Sequence, residues 1–127
     1  MDLEHIANDD TLLRRLTRDS INPDSSVNSN AYKLSGKPDN SISVDLERLT
    51  DEETTASYRP GSGVGRLITR VPRELGFDVF HAPLINRTDQ PDNPAHCLIE
   101  GNNTKQKCRL LAEATEVARP PTNHQGP

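Results

Sequence analysis

Tryptophan is absent from the 127-residue chain, methionine occurs once, and tyrosine and phenylalanine supply two residues each. A core built from this sequence must be small and aliphatic, because the large aromatic side chains that dominate most buried surfaces are nearly missing. Only 31% of the residues are apolar and mean hydropathy is −0.76, so part of the chain is expected to stay outside that core. No apolar run approaches the roughly 20 residues of a membrane-spanning helix. The start, MDLEHIANDD, is acidic where a secretory signal would be basic and then apolar. The expected location is cytoplasmic, with no membrane contact.

Cysteine is also scarce. Cys97 and Cys108 are fewer thiols than a small disulfide-stapled secreted domain normally carries, which points to reduced cysteines and leaves a Cys97–Cys108 bridge as the open alternative. Nor is there an excess of positive charge: 15 basic against 19 acidic residues leave a net charge of −4. That balance disfavours the broad positive field of non-specific nucleic-acid binding and leaves room only for a local contact. A chain of this length is expected to form one domain and to bury roughly two thirds of the surface it exposes when unfolded.

What is present divides the chain into a flexible lead over residues 1–10, one α+β domain over 11–118, and a disordered, proline-containing tail over 119–127. TLLRRLT (11–17) is too short for periodicity to separate helix from strand, and is read as a strand. From 19 to 40, serine, asparagine, aspartate, proline and glycine favour turns, with Ala31, Tyr32 and Leu34 as anchors. SISVDL (41–46) alternates Ile42, Val44 and Leu46 against Ser41, Ser43 and Asp45, the period of a half-buried strand. Thr50-Asp51-Glu52-Glu53 spells a capping box that predicts a helix from Asp51 to Tyr58. Pro60, with Gly61, Gly63 and Gly65, ends it.

GRLITRV (65–71) reads as a strand and PRELGF (72–77) as one helical turn, with Pro72 at its first position and Gly76 at its end. FDVFHAPL (77–84) alternates again, setting Phe77, Val79 and His81 against Asp78 and Phe80. After a polar loop over 85–94, AHCLIEG (95–101) is the last strand. TKQKCRLLAEATEVA (104–118) gives the clearest helix, with Cys108, Leu111, Ala112, Thr115 and Ala118 on one face. The predicted fold is α+β: a small mixed sheet of four or five strands with a C-terminal amphipathic helix packed on one face.

Among residues that could carry chemistry, His96 stands at the mouth of a strand. There it would serve as a general base or ligand, or else hydrogen-bond the turn that Asn93-Pro94 sets; no second group on its own face is visible in the sequence. His81, His96, Cys97 and Cys108 are zinc-type donors, but no C-x-x-C or H-x(3–5)-H pair occurs. Adjacent His96 and Cys97 on a strand would also point to opposite faces. No metal or cofactor is expected. GSGVG (61–65) lacks the order of a nucleophile elbow and precedes a strand, whereas phosphate loops follow one.

GNNTKQK (101–107) is the stronger anion site. Asn102, Asn103, the Thr104 hydroxyl, Lys105, Lys107 and free helix amides gather where the helix dipole is already positive. Lysines there cost helix stability, which a phosphate or a carboxylate cluster on a partner would offset; solvated lysines are the alternative. Arginines fall into two groups, Arg14, Arg15 and Arg18, then Arg66, Arg70 and Arg73. Arg14 or Arg15 turned into a cleft would hold a pyrophosphate or carboxylate bidentately, while arginines of this kind otherwise line solvated faces.

Together, LLRRL, SSVNSNAYK, SVDLERLT, GVGRLITRVPRELGFDV and NPAHCLIEGNNTKQK resemble a family of small, mostly uncharacterised bacterial proteins, over about Leu12 to Ala114. The resemblance implies a bacterial, cytoplasmic, single-domain protein of genome-defence or mobile-element neighbourhoods, and brings no established activity. An arginine on the first strand followed by a serine and an aromatic residue is also similar to the NAD-binding pattern of ADP-ribosyltransferase-like folds. Arg15, Ser29 and Tyr32 would be the matching residues, with Glu100 as the glutamate near the last strand.

These features favour a non-enzymatic accessory or adaptor protein that binds a larger protein or a nucleic acid–protein complex. Its contact surface would be the loop 85–94, His96 and the start of the last helix. The rival is a small enzyme acting on a nucleotide or phosphorylated substrate, with His96 or Glu100 as acid–base and Arg15, Lys105 and Lys107 as anion ligands. Such an enzyme requires Arg15, His96 and Lys105 to converge.

Overall fold

A computed structural model, which describes residues 2–33 and 41–122, gives an α+β fold around one antiparallel sheet. Leu34, expected as an anchor, and the tail beyond Thr122 lie outside the described residues. Among the described residues the strands are β1 (Thr11–Leu16), β2 (Ser41–Leu46), β3 (Gly63–Ile68), β4 (Asp78–His81), β5 (His96–Glu100) and β6 (Glu116–Arg119), in the spatial order β4-β5-β2-β1-β3-β6. Every pairing is antiparallel, so the expected mixed sheet of four or five strands is corrected to an antiparallel sheet of six. The helical link from β2 to β3 does return the chain parallel to itself, as a strand–helix–strand unit should. However, β1 lies between those two strands and turns each contact antiparallel.

One face carries the main core. Leu12, Leu16, Ile42, Val44, Leu46, Leu67, Val79, Cys97 and Ile99 are buried there beneath Tyr32 and helix α3 (Lys105–Glu113), which contributes Cys108, Leu111 and Ala112. Each fully buried aliphatic side chain contributes roughly 1.5–3 kcal/mol. Tyr32 is the largest of the fully buried side chains, and its hydroxyl is satisfied by Thr115 Oγ1 at 2.7 Å. Ile6, within the expected flexible lead, joins this core at 2% exposure. The opposite face is covered in part by α1 (Glu52–Ser57) over β1 and β3, where Leu13, Val64 and Ala56 form a second, smaller cluster.

Several element boundaries differ from the expected ones. Asp51, not Thr50, caps α1: its carboxylate accepts from the Thr54 amide at 2.7 Å, because a carboxylate at that position outcompetes the hydroxyl one residue earlier. Strand β3 runs over 63–68 instead of 65–71, and α2 (Arg70–Glu74) starts before Pro72. Gly76 does close that turn, with φ +97°. The last helix stops at Glu113 instead of continuing to 118, and Glu116–Arg119 becomes an edge strand paired with β3. Two glycines allow this pairing. A Cβ on Gly65 would stand 2.5 Å from Thr115 Cγ2, and one on Gly63 only 2.3 Å from the Arg119 carbonyl oxygen.

Candidate functional site

The face away from α3 holds a row of polar residues at the β2–β5 boundary. Asp45 pairs with His96 across the two strands, and Ser43 pairs with Leu98, so Ser43 and His96 are diagonal neighbours on one face. Ser43 Oγ lies 3.0 Å from His96 Nε2, and His96 Nδ1 lies 2.8 Å from the Ala82 carbonyl oxygen. A carbonyl can only accept, which places the proton on Nδ1 and leaves Nε2 to accept from the Ser43 hydroxyl. Burial lowers the His96 pKa, opposed by the Ala82 hydrogen bond and the Asp45 charge, so the ring is held in its basic, uncharged form. His96 therefore has the partner on its own face that the sequence did not reveal, because that partner lies 53 residues away.

Asp45 anchors the rest of the row. It is 1% exposed, where strand alternation suggested an outward residue, and burial of a carboxylate demands partners. Thr55 from α1 donates its hydroxyl to Oδ2 at 2.8 Å, Asn93 donates Nδ2 to Oδ1 at 2.9 Å, and Arg15 Nη1 stands 3.8 Å from Oδ2. Arg15 also lies over the Tyr58 ring at 5.9 Å, and Tyr58 donates to the Asp92 carbonyl at 2.9 Å. The polar loop before β5 is thereby tied to α1 and β2. Arg14 faces the other way: Nε donates to the Ala31 carbonyl and Nη1 to the Ser43 carbonyl, both at 2.8 Å, with Tyr32 beneath the guanidinium at 5.7 Å. Burial lowers its pKa, and its task is to clamp the 3₁₀ turn Ser29–Tyr32 onto the sheet.

The start of α3 is occupied largely by its own backbone. Thr104 Oγ1 accepts from the Lys107 amide at 3.2 Å as the N-cap. Asn103 donates to the Tyr32 carbonyl at 3.0 Å, and its Oδ1 faces Cys108 Sγ at 3.3 Å. Lys107 Nζ donates to the Asn102 carbonyl at 2.9 Å while lying 5.0 Å from the centre of the Phe77 ring. Lys105 is exposed. This end of α3 lies past the far end of β5 from the loop 85–94 and belongs to the layer on the opposite face. The surface expected to unite that loop, His96 and the helix start is thus two surfaces, and Arg15 and His96 do not converge with Lys105.

The remaining candidates are also placed. Glu100 is exposed at the end of β5 and accepts from Ser41 Oγ at 2.8 Å. Tyr32 is buried under α3 while Arg15 projects from the other face, so the Arg15, Ser29, Tyr32 and Glu100 set is divided by the sheet. His81 also belongs to the α3 side of the sheet. Its Nδ1 accepts from the Glu4 amide at 2.9 Å, and its Nε2 lies 2.7 Å from the Pro94 carbonyl. Cys97 and Cys108 are separate, buried free thiols, and burial pushes the Cys97 thiol up to about 12. Arg66 is engaged by Glu47, Glu52 and Glu116, and Arg73 donates to Asn8 and to the Val79 carbonyl.

No described helix is long and apolar enough to cross a membrane. Comparison with protein-family models, with curated proteins and with solved structures finds no match to this chain.

Proposed function

We infer that the protein is a small accessory or adaptor protein that binds a larger protein partner, alone or within a nucleic acid–protein complex, through the α1 side of its sheet. The observation that carries this reading is an exposed phenylalanine, Phe80, beside a half-buried Leu98 at the β4–β5 end of that face. Phe80, on the edge strand, pairs with Leu98 and is 39% exposed, in a chain that has only two phenylalanines. Helix α1 covers β1 and β3, while Phe80 and Leu98 stand between Ser43 on one side and the open sheet edge on the other. Aromatic side chains set among polar ones are the usual anchors of protein interfaces.

The test is affinity capture from the native host with the full chain as bait, beside a Phe80→Glu bait and a Lys105→Glu/Lys107→Glu bait. The expected result is a partner retained by the wild type and by the lysine variant and lost with Phe80→Glu. Recovery of the bait alone, together with thermal stabilisation by a nucleotide, would overturn the adaptor reading.

A further inference from the structure

We propose that Ser43 and His96 form a nucleophile and general base that accept an acyl group from small esters with an apolar acyl chain. The proposal goes beyond partner binding and rests on a separate observation, the relay from Ser43 Oγ through His96 to the Ala82 carbonyl. Its two links measure 3.0 Å and 2.8 Å, inside the range in which a base can take the proton of a nucleophile. The third group orients the base, as triad chemistry requires, and here it is a main-chain carbonyl. His96 is 6% exposed, so its ring is fixed between β2 and the segment after β4, whereas Ser43 is only partly buried and can meet a substrate. Leu98, paired with Ser43, and Phe80 beyond it provide an apolar floor for the acyl chain.

The chemistry balances with the ester and water as the only reactants. A lone pair of Ser43 Oγ attacks the carbonyl carbon while the hydroxyl proton passes to His96 Nε2. The resulting imidazolium keeps its Nδ1–H bond to Ala82 and faces the Asp45 charge, which favours the protonated ring. Collapse of the tetrahedral adduct breaks the bond to the alkoxide, which leaves with the proton from Nε2, and acyl-Ser43 remains. Water then attacks that ester and gives a proton to Nε2; collapse of this second adduct breaks the acyl–Oγ bond, releases the carboxylic acid, and returns the Nε2 proton to Ser43 Oγ. General-base assistance of this kind contributes roughly 10²–10⁴-fold.

The experiment treats the full chain with a fluorophosphonate probe, in which fluoride is the leaving group, and separately with p-nitrophenyl acetate, followed by intact-mass and peptide mapping. One adduct is expected, on the peptide containing Ser43. It should be absent in Ser43→Ala, retained in Ser41→Ala, and formed at least about tenfold more slowly in His96→Gln. Should His96→Gln fail to fold, Ser43→Cys carries the test. Its thiol beside His96 should react with iodoacetamide at neutral pH about tenfold faster than a free cysteine, while Cys97 and Cys108 stay protected. No adduct at Ser43, equal labelling in His96→Gln, or a Ser43→Cys thiol no faster than free cysteine would overturn the assignment. Because the assay uses the isolated chain, its failure is distinct from failure to recover a partner.

Discussion

Asn93 donates from Nδ2 to Asp45 Oδ1 at 2.9 Å, joining the loop before β5 to the centre of the sheet. Thr55 and Arg15 meet the same carboxylate, from α1 and β1. Asp45→Ala therefore strands a buried hydroxyl, a buried amide and a guanidinium at once, and breaking such a set by removing one partner costs about 3 kcal/mol or more. Asp45→Asn keeps an acceptor but loses the charge, and should cost about 1 kcal/mol. Urea unfolding midpoints of the two variants check the order, and equal losses would show that the charge, not the hydrogen-bond acceptor, matters.

Gly65 and Thr115 make a complementary pair. Adding a Cβ at 65 drives it against Thr115 Cγ2 at 2.5 Å, with Leu16 Cδ1 next at 3.3 Å, so Gly65→Ala should destabilise by about 1–3 kcal/mol through overpacking. Thr115→Ser deletes that methyl while keeping the hydroxyl that meets Tyr32. The double variant should recover a substantial part of the loss, a coupling that a double-mutant cycle reads directly. Additive losses would mean that β6 shifts as a whole instead of clashing at one atom.

Stability should depend on pH through His96. Its folded pKa lies below its ordinary value of 6.5, chiefly because of burial. An unfolded chain therefore takes up a proton that the native ring resists. The contribution is complete above about pH 6.5 and is lost as pH falls from there towards the folded pKa. Unfolding free energy should thus drop as pH falls below about 6.5, and His96→Gln should flatten that slope. A slope unchanged in the variant would assign the effect to other groups.

Local pattern made some of this architecture legible and long-range register hid the rest. The alternation in SISVDL and FDVFH correctly placed Ile42, Val44, Phe77, Val79 and His81 inward, and the helical spacing picked out Cys108, Leu111 and Ala112. Alternation also suggested one polar outer face, and there it misled. Asp45 is buried because α1 and the loop before β5 fold over it, and nothing near Asp45 in the chain announces that cover. Likewise the Ser43–His96 contact depends on the pairing of β2 with β5. Strand β6 escaped notice because its residues continue a helical pattern and bury little, while its pairing relies on glycines some 50 residues earlier.

The lysines at the start of α3 offer a last measurement, because their placement opposes the helix dipole. Lys107 has local compensation, since its ammonium meets the Asn102 carbonyl and the Phe77 ring. Lys105 is exposed in the first turn, which contains no acidic residue. Lys105→Glu should therefore stabilise the isolated chain by about 0.3–1 kcal/mol at low salt, an effect that salt screens away. Lys107→Glu should give no such gain, because the dipole benefit is offset by loss of the cation–π contact and the hydrogen bond. Thermal unfolding at low and high ionic strength separates the two. A gain at 105 would mean that the native lysine is kept at a cost to the free protein, the size of which the low-salt difference reads directly. No gain would make it an ordinary solvated side chain.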